Sequence, residues 1–146
     1  MRREAGFTLL EMLIVLALVG AVIGVVVAHG PPRGTALRTR AAAGALAAAL
    51  RDARARAIAV DGTVGVVIDA RGHRFAEDGQ APRLVDPDLS ITVLPPALPG
   101  PNDTRIIRFG PDGSATGGGV VLGTGHGALR VEVQWLTGQV KVADAP

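Results

Sequence analysis

The sequence predicts an α+β chain: a hydrophobic N-terminal helix and an amphipathic helix, followed by an antiparallel, all-β, sandwich-like domain. Three observations predict it. Residues 12–28 form a run of seventeen without one charged or strongly polar side chain. Residues 35–60 are rich in alanine, the strongest helix former, and set apolar residues at helical spacing. Beyond Gly62 the apolar period drops to two, and Asp-Gly and Gly-rich pairs punctuate the chain.

At 146 residues the chain has room for one domain plus an anchor. Setting residues 1–34 aside leaves 112, enough for a modest core without covalent staples. There is no cysteine, which excludes a disulfide framework, a thiolate metal site and a cysteine nucleophile, and is compatible with the periplasm. Phe7, Phe75, Phe109 and Trp135 are the only aromatics, so valine, leucine, isoleucine and alanine must build the core.

The first element opens on Met1-Arg-Arg-Glu-Ala-Gly6 and continues as an apolar helix over 7–29. Those 23 residues would span about 34 Å at about 1.5 Å each, against a hydrocarbon core of about 30 Å. An ordinary export signal has a shorter apolar core and a small-residue cleavage site, which Val27-Ala28-His29-Gly30 matches poorly. One carboxylate, Glu11, sits near the start of this segment. An ionisable group there costs roughly 2.5–3.5 kcal/mol on insertion scales and points to a functional site with a partner. The available cation is a chain end: cleavage after Gly6 would give Phe7 a free α-amino group four residues from Glu11.

Gly30-Pro31-Pro32-Arg33-Gly34 stops or bends the helix, because proline lacks an amide donor and clashes with the preceding turn. A second helix then occupies 35–60, with Thr35 as candidate N-cap. Leu46, Leu50, Ala53 and Ala57, with Leu37 a turn or two upstream, draw a narrow stripe of mostly small apolar residues suited to packing on a sheet, with Arg51, Arg54 and Arg56 off it. Asp61-Gly62 ends it.

Seven short strands follow. Residues 63–69 and 72–76 make a hairpin across Ala70-Arg71; then come 89–94, 104–109, 120–122, 128–135 and 139–142, with 97–103 an exposed loop. Their Asp-Gly and Gly-rich turns indicate a sandwich or half-barrel.

Charge is unevenly placed. Residues 38–56 carry five arginines against Asp52, a balance of +4, while 57–146 carry seven basic and ten acidic residues, a balance of −3. A solvated helix face, or contact with acidic lipid heads or partner subunits, accounts for the arginines. Phosphate binding would need a clustered patch with stacking aromatics.

Gly6-Phe7-Thr8-Leu9-Leu10-Glu11-Met12-Leu13 resembles the leader of type IV pilins and type II secretion pseudopilins. The order of later motifs is similar to the minor pseudopilin GspH and its pilus relative FimT: Arg56-Ala-Ile-Ala59, Phe109-Gly-Pro-Asp-Gly-Ser114, and Val133-Gln-Trp-Leu-Thr-Gly-Gln-Val140. Residues 77–103 carry no match. The resemblance implies a pilin-like fold and a leader, residues 1–6, that a prepilin peptidase removes between Gly6 and Phe7 before methylating Phe7. It implies Glu11 as the assembly residue, meeting the Phe7 amine of a neighbouring subunit. It implies a single pass through the bacterial inner membrane, contacting its lipid, with the domain at 61–146 in the periplasm. After assembly the chain would stand in the pseudopilus of a type II secretion system, with major and minor pseudopilins and exported cargo as partners. The alternative is a FimT-like minor type IV pilin that binds DNA for uptake. Lys141 and Arg130 are its candidate contacts, though Gln139 stands where that branch would be expected to carry an arginine.

Nothing points to catalysis or to a cofactor. His29, His73 and His126 share no metal-ligand spacing, and Ser90 and Ser114, the only serines, sit in no nucleophile motif. Gly123-Thr-Gly-His-Gly127 precedes a strand rather than the helix a phosphate loop needs, and reads as a hairpin turn. Asp86, Asp88 and Asp103 lack the spacing of a calcium loop and read as solvated carboxylates. Asn102-Asp103-Thr104 fits a glycosylation sequon that a bacterial pseudopilin would not use.

Overall fold

The computed structural model describes residues 9–29, 33–96, 98–99, 104–124 and 127–145. The leader positions Gly6 and Phe7, and the 30–32 part of the expected break, lie outside the described residues. Two compact units divide the chain, Met1–Arg33 and Gly34–Pro146.

The first unit holds helix α1, Leu9–His29. Apolar residues occupy every face of it, and all the large ones described are exposed, from Leu9 at 82% to Val19 at 50%. Glu11 lies in its first turn. Among the described residues no helix is long and apolar enough to cross a membrane; in α1 the described side chains stop at Val25.

The second unit opens with helix α2, Arg33–Ala59. It starts earlier than the expected 35, so Arg33 and Gly34 are helical and Thr35 is no N-cap. The Thr35 carbonyl instead accepts the hydroxyl of Thr39 at 2.9 Å, which satisfies that buried polar group. The helix ends in a left-handed residue, Asp61 (φ 51°), with the Gly62 amide donating to the Ala57 carbonyl at 3.1 Å. This is the Schellman closure, with an aspartate in the position glycine usually fills.

Nine strands follow: β1 Val64–Asp69, β2 Arg74–Glu77, β3 Arg83–Leu84, β4 Ile91–Leu94, β5 Leu98–Pro99, β6 Arg105–Phe109, β7 Gly118–Leu122, β8 Leu129–Val133 and β9 Val140–Asp144. They form two antiparallel sheets, β3-β2-β1-β6-β5 and β4-β7-β8-β9. Two details depart from the seven-strand expectation. Leu98–Pro99 pairs with β6, so part of the expected loop is an edge strand, where proline is tolerated. The β1–β2 hairpin closes Asp69 on Arg74, and its loop is four residues rather than two. Asp69 sets that length, accepting from the Gly72 amide at 2.7 Å and from Arg74 Nε at 2.9 Å. His73 therefore falls in the turn, at φ 45°, not in the strand.

The buried stripe of α2 and the inner faces of both sheets join in one core. Leu46, Leu50, Ala53 and Ala57 from α2 meet Val66, Ile68, Ile107 and Phe109 of one sheet and Val120, Leu122 and Val131 of the other. Phe109, fully buried, is the largest of the fully buried side chains in this core.

Candidate functional site

Three arginines of α2 hydrogen-bond or pair back onto the domain. Arg51 Nη2 donates to the Val140 carbonyl at 3.3 Å, and Arg54 Nε to the Gly113 carbonyl at 3.1 Å. Arg56 Nη1 lies 3.2 Å from Glu77 Oε1 and donates to the Asp78 carbonyl at 3.4 Å. Glu77 is a nearly buried carboxylate on the inner side of β2, and Arg56 is the charge that balances it. Farther up the helix, Arg38 faces Asp86 and Asp88 at 3.3 and 3.4 Å. These two aspartates are an arginine's partners, and among the described residues no acid or histidine cluster could hold a metal ion. The basic segment thus supplies ties from the helix to the β domain through Arg51, Arg54 and Arg56, while Arg38, Arg40 and Arg51 keep the exposure expected of a solvated face.

Arg54 marks a joint that the sequence does not announce. The turns after β6 and after β8 meet at it. In the first, Asp112 Oδ1 accepts from the Ser114 amide at 3.0 Å and its hydroxyl at 2.6 Å. The Ser114 hydroxyl, and then its amide, hold the Asp112 carboxyl below its ordinary value. In the second, Gly138 takes φ 61°, and its amide donates to the Gln134 carbonyl at 2.8 Å. A Cβ at Gly138 would overlap the Gly113 carbonyl oxygen and come within 2.9 Å of Arg54 Nε. The glycines of both turns were the available signal, since glycine takes the left-handed backbone that Gly113 and Gly138 adopt.

With the joint fixed, the β8–β9 hairpin holds Trp135 and Leu136 out into solvent, 67% and 66% exposed. Trp135 is anchored through its backbone, its carbonyl accepting from the Ala115 amide at 2.8 Å. A large exposed aromatic on a hairpin tip is the kind of anchor that protein interfaces favour.

The candidate DNA contacts fare differently. Arg130 on β8 and Lys141 on β9 share one face of the second sheet, but Glu132 shares it too, directly opposite Lys141. One acid between two cations breaks the positive surface that phosphates require. Arg130 pairs with Val121 and Ala143 across the sheet, and its Nε is buried with no hydrogen-bond partner. Glu11 is exposed on α1, away from these strands in the chain, and Gly6 and Phe7 precede the described residues.

Comparison with known proteins bears on both ends of the chain. Residues 1–27 match the prokaryotic N-terminal methylation motif, and residues 42–138 match the type II transport protein GspH. The chain is 34% identical over 142 residues to the type II secretion system protein H of Xanthomonas campestris pv. campestris, covering 96% of this chain and 83% of that protein. Among solved structures it is similar to the minor pseudopilin EpsH from the type 2 secretion system of Vibrio cholerae. That match has a TM-score of 0.58 and 17% identity over 73% of this chain and 97% of the other. It is also similar to the type IV minor pilin FimU of Pseudomonas aeruginosa, with a TM-score of 0.52 and 15% identity over 71% of this chain and 91% of that one. At such identities the structural likeness speaks to the fold alone.

Proposed function

The chain belongs to the family of the type II transport protein GspH, and from that premise we propose that it works as a minor pseudopilin of a type II secretion system, by assembly rather than catalysis. The observation that carries this reading is the 34% identity to a secretion-system protein H across nearly the whole chain. The N-terminal methylation motif at 1–27 supports processing by a prepilin peptidase, with cleavage between Gly6 and Phe7 and methylation of Phe7. Helix α1 supports the assembly step. Apolar on every face, it needs a covering of lipid or of other pseudopilin helices.

In this scheme residues 7–29 wait in the inner membrane as a single pass, with the β domain in the periplasm, and then leave it to pack in the pseudopilus. Glu11 meets the Phe7 amine of an adjoining subunit as the helices stack, so that two charges removed from water neutralise each other. Removing one partner of such a buried pair costs about 3–5 kcal/mol, enough to prevent docking. The exposed Trp135-Leu136 tip faces other pseudopilins or exported cargo.

Chromosomal deletion with complementation tests the reading. Export of the system's substrates should fall on deletion and return with the intact chain. Unimpaired export in the deletion strain would contradict it.

A further inference from the structure

Among the described residues the two sheets end in four edge strands, and three of them are short or blocked. β3 has two residues and follows Pro82, β5 contains Pro99, and β4 is mostly half-buried and runs into Pro95-Pro96. β9 is different: five residues without proline or glycine, four of them exposed. Its backbone directions follow from the bonds at its two ends. The Gln139 carbonyl accepts from the Gln134 amide at 3.0 Å, and the Ala145 amide donates to the Ala128 carbonyl at 2.9 Å. By the alternation of an antiparallel ladder, residues 139, 141, 143 and 145 turn toward β8, and Val140, Val142 and Asp144 turn their amides and carbonyls away from the sheet. One of these outward groups is capped: the Val140 carbonyl accepts from Arg51 Nη2 at 3.3 Å. Val142, 42% exposed, and Asp144 present theirs to solvent. The charges along the edge are ordered too. An exposed arginine, Arg51, stands at its Val140 end, and Asp144, which forms no ion pair among the described residues, stands at the other.

We propose that β9 pairs antiparallel with β9 of a second copy of this chain, about a two-fold axis at Val142. Only outward-turned residues exchange backbone bonds across such a seam, so Val142 meets its own counterpart and Val140 meets Asp144 of the second copy. Charge selects that register. Asp144 of the second copy arrives beside the Arg51 that caps Val140; its amide takes the Val140 carbonyl, and the guanidinium passes to its carboxylate in a charge-assisted bond. The two-fold repeats the exchange at the other end, the self-complementary contact of an isologous dimer. On the inner face Val142 lies opposite the fully buried Val131, so the two valines carry the apolar surface across the seam. Pairing also closes an open strand edge, which is otherwise a liability. An edge this short makes a small contact. The pair is therefore expected where a shared micelle or membrane raises the effective concentration, the latter resting on the anchoring of α1 proposed above.

The chain has no cysteine, so a single introduced thiol reports its own contacts. Helix α1, apolar on every face, can associate in a micelle by itself, so the readout is site-specific cross-linking rather than size. The full chain in detergent micelles is oxidised with copper phenanthroline. V142C should give a disulfide-linked dimer, its paired Cα atoms lying about 5.5 Å apart, and should do so faster than L84C on the β3 edge. A mixture of K141C and A143C chains should give mostly the mixed dimer, since those positions face each other at about 4.5 Å. D144K sets a second cation beside Arg51 and should cut V142C cross-linking about tenfold, and R51E added to D144K should restore it. Far-UV circular dichroism checks that each variant is folded. V142C linking no faster than L84C, K141C linking to itself as readily as to A143C, or indifference to D144K would overturn the proposal. Export is measured separately, so that failure would leave the pseudopilin role standing.

Discussion

Arg54 donates from Nε to the carbonyl of Gly113, 59 residues away, at 3.1 Å, and Gly138 closes over the same oxygen. One arginine on α2 thereby fixes the two turns that carry the motifs Pro-Asp-Gly and Thr-Gly. The base of the domain's exposed hairpin is in this way tied to the helix that fills the core. Gly138→Ala should lower stability by about 1–3 kcal/mol, the usual cost of a side chain in left-handed backbone, and more if the clash with Gly113 does not relax. Thermal unfolding followed by circular dichroism measures it. A loss of about 4–8 °C per kcal/mol is expected for a domain near this size. Arg54→Met should cost less, and the pair together less than the sum, because both act on one carbonyl.

The core assigns very different weights to two hydrophobic residues that look alike in the sequence. Phe109 is fully buried between α2 and both sheets, so Phe109→Ala should destabilise by about 3–5 kcal/mol. Leu37 is 70% exposed on α2, and Leu37→Ala should change stability by no more than about 0.5 kcal/mol. Urea denaturation of the two variants, compared with the parent, reads both.

Much of this arrangement was legible in the residues. The stripe Leu46, Leu50, Ala53 and Ala57 repeats at helical period and all four are buried, whereas Leu37, expected upstream with them, is 70% exposed. β6 and β8 end in the buried-exposed-buried alternation of half-buried strands. The two-residue strands β3 and β5 were not legible, since two residues carry no period and Leu98–Pro99 contains a residue that argues against pairing. The hairpin at 70–73 was misjudged because nothing local signals that His73 would take positive φ; Asp69 decides it through two hydrogen bonds. The Arg54 joint was hidden by sequence distance. Its glycines read as ordinary turn formers, and only folding brings them to the arginine.

Acid sensitivity of the turns follows from Asp112 and Asp69. Hydrogen bonds from Ser114 lower the Asp112 carboxyl, and the Gly72 amide, then Arg74, lower that of Asp69. A carboxyl with a depressed folded value stabilises the fold above its unfolded pKa of about 3.9, and that contribution disappears as pH falls through the folded value. Stability should therefore decline between pH of about 4 and the lower folded values, and more shallowly in Asp112→Asn. A series of thermal unfolding curves across that acid range checks the slope. Identical slopes for parent and variant would show that Asp112 contributes nothing there.

Substitution of Glu11 tests the proposed assembly step apart from processing. Glu11→Ala should leave the bond between Gly6 and Phe7 cleavable, since the peptidase acts upstream of the substituted residue. Docking into the pseudopilus should be lost, because the Phe7 amine of the adjoining subunit would be left without its counter-charge. Co-purification of the variant with the other pseudopilins, compared with the parent, measures that loss, and undiminished co-purification would remove Glu11 from the mechanism.

The mass of the mature chain tests the central claim most directly. Protein taken from cells with an active prepilin peptidase should begin at Phe7 and carry one added methyl group on its amine. A chain that still begins at Met1 in those cells would contradict the account, since the proposed assembly step has Glu11 meet a free Phe7 amine of the adjoining subunit.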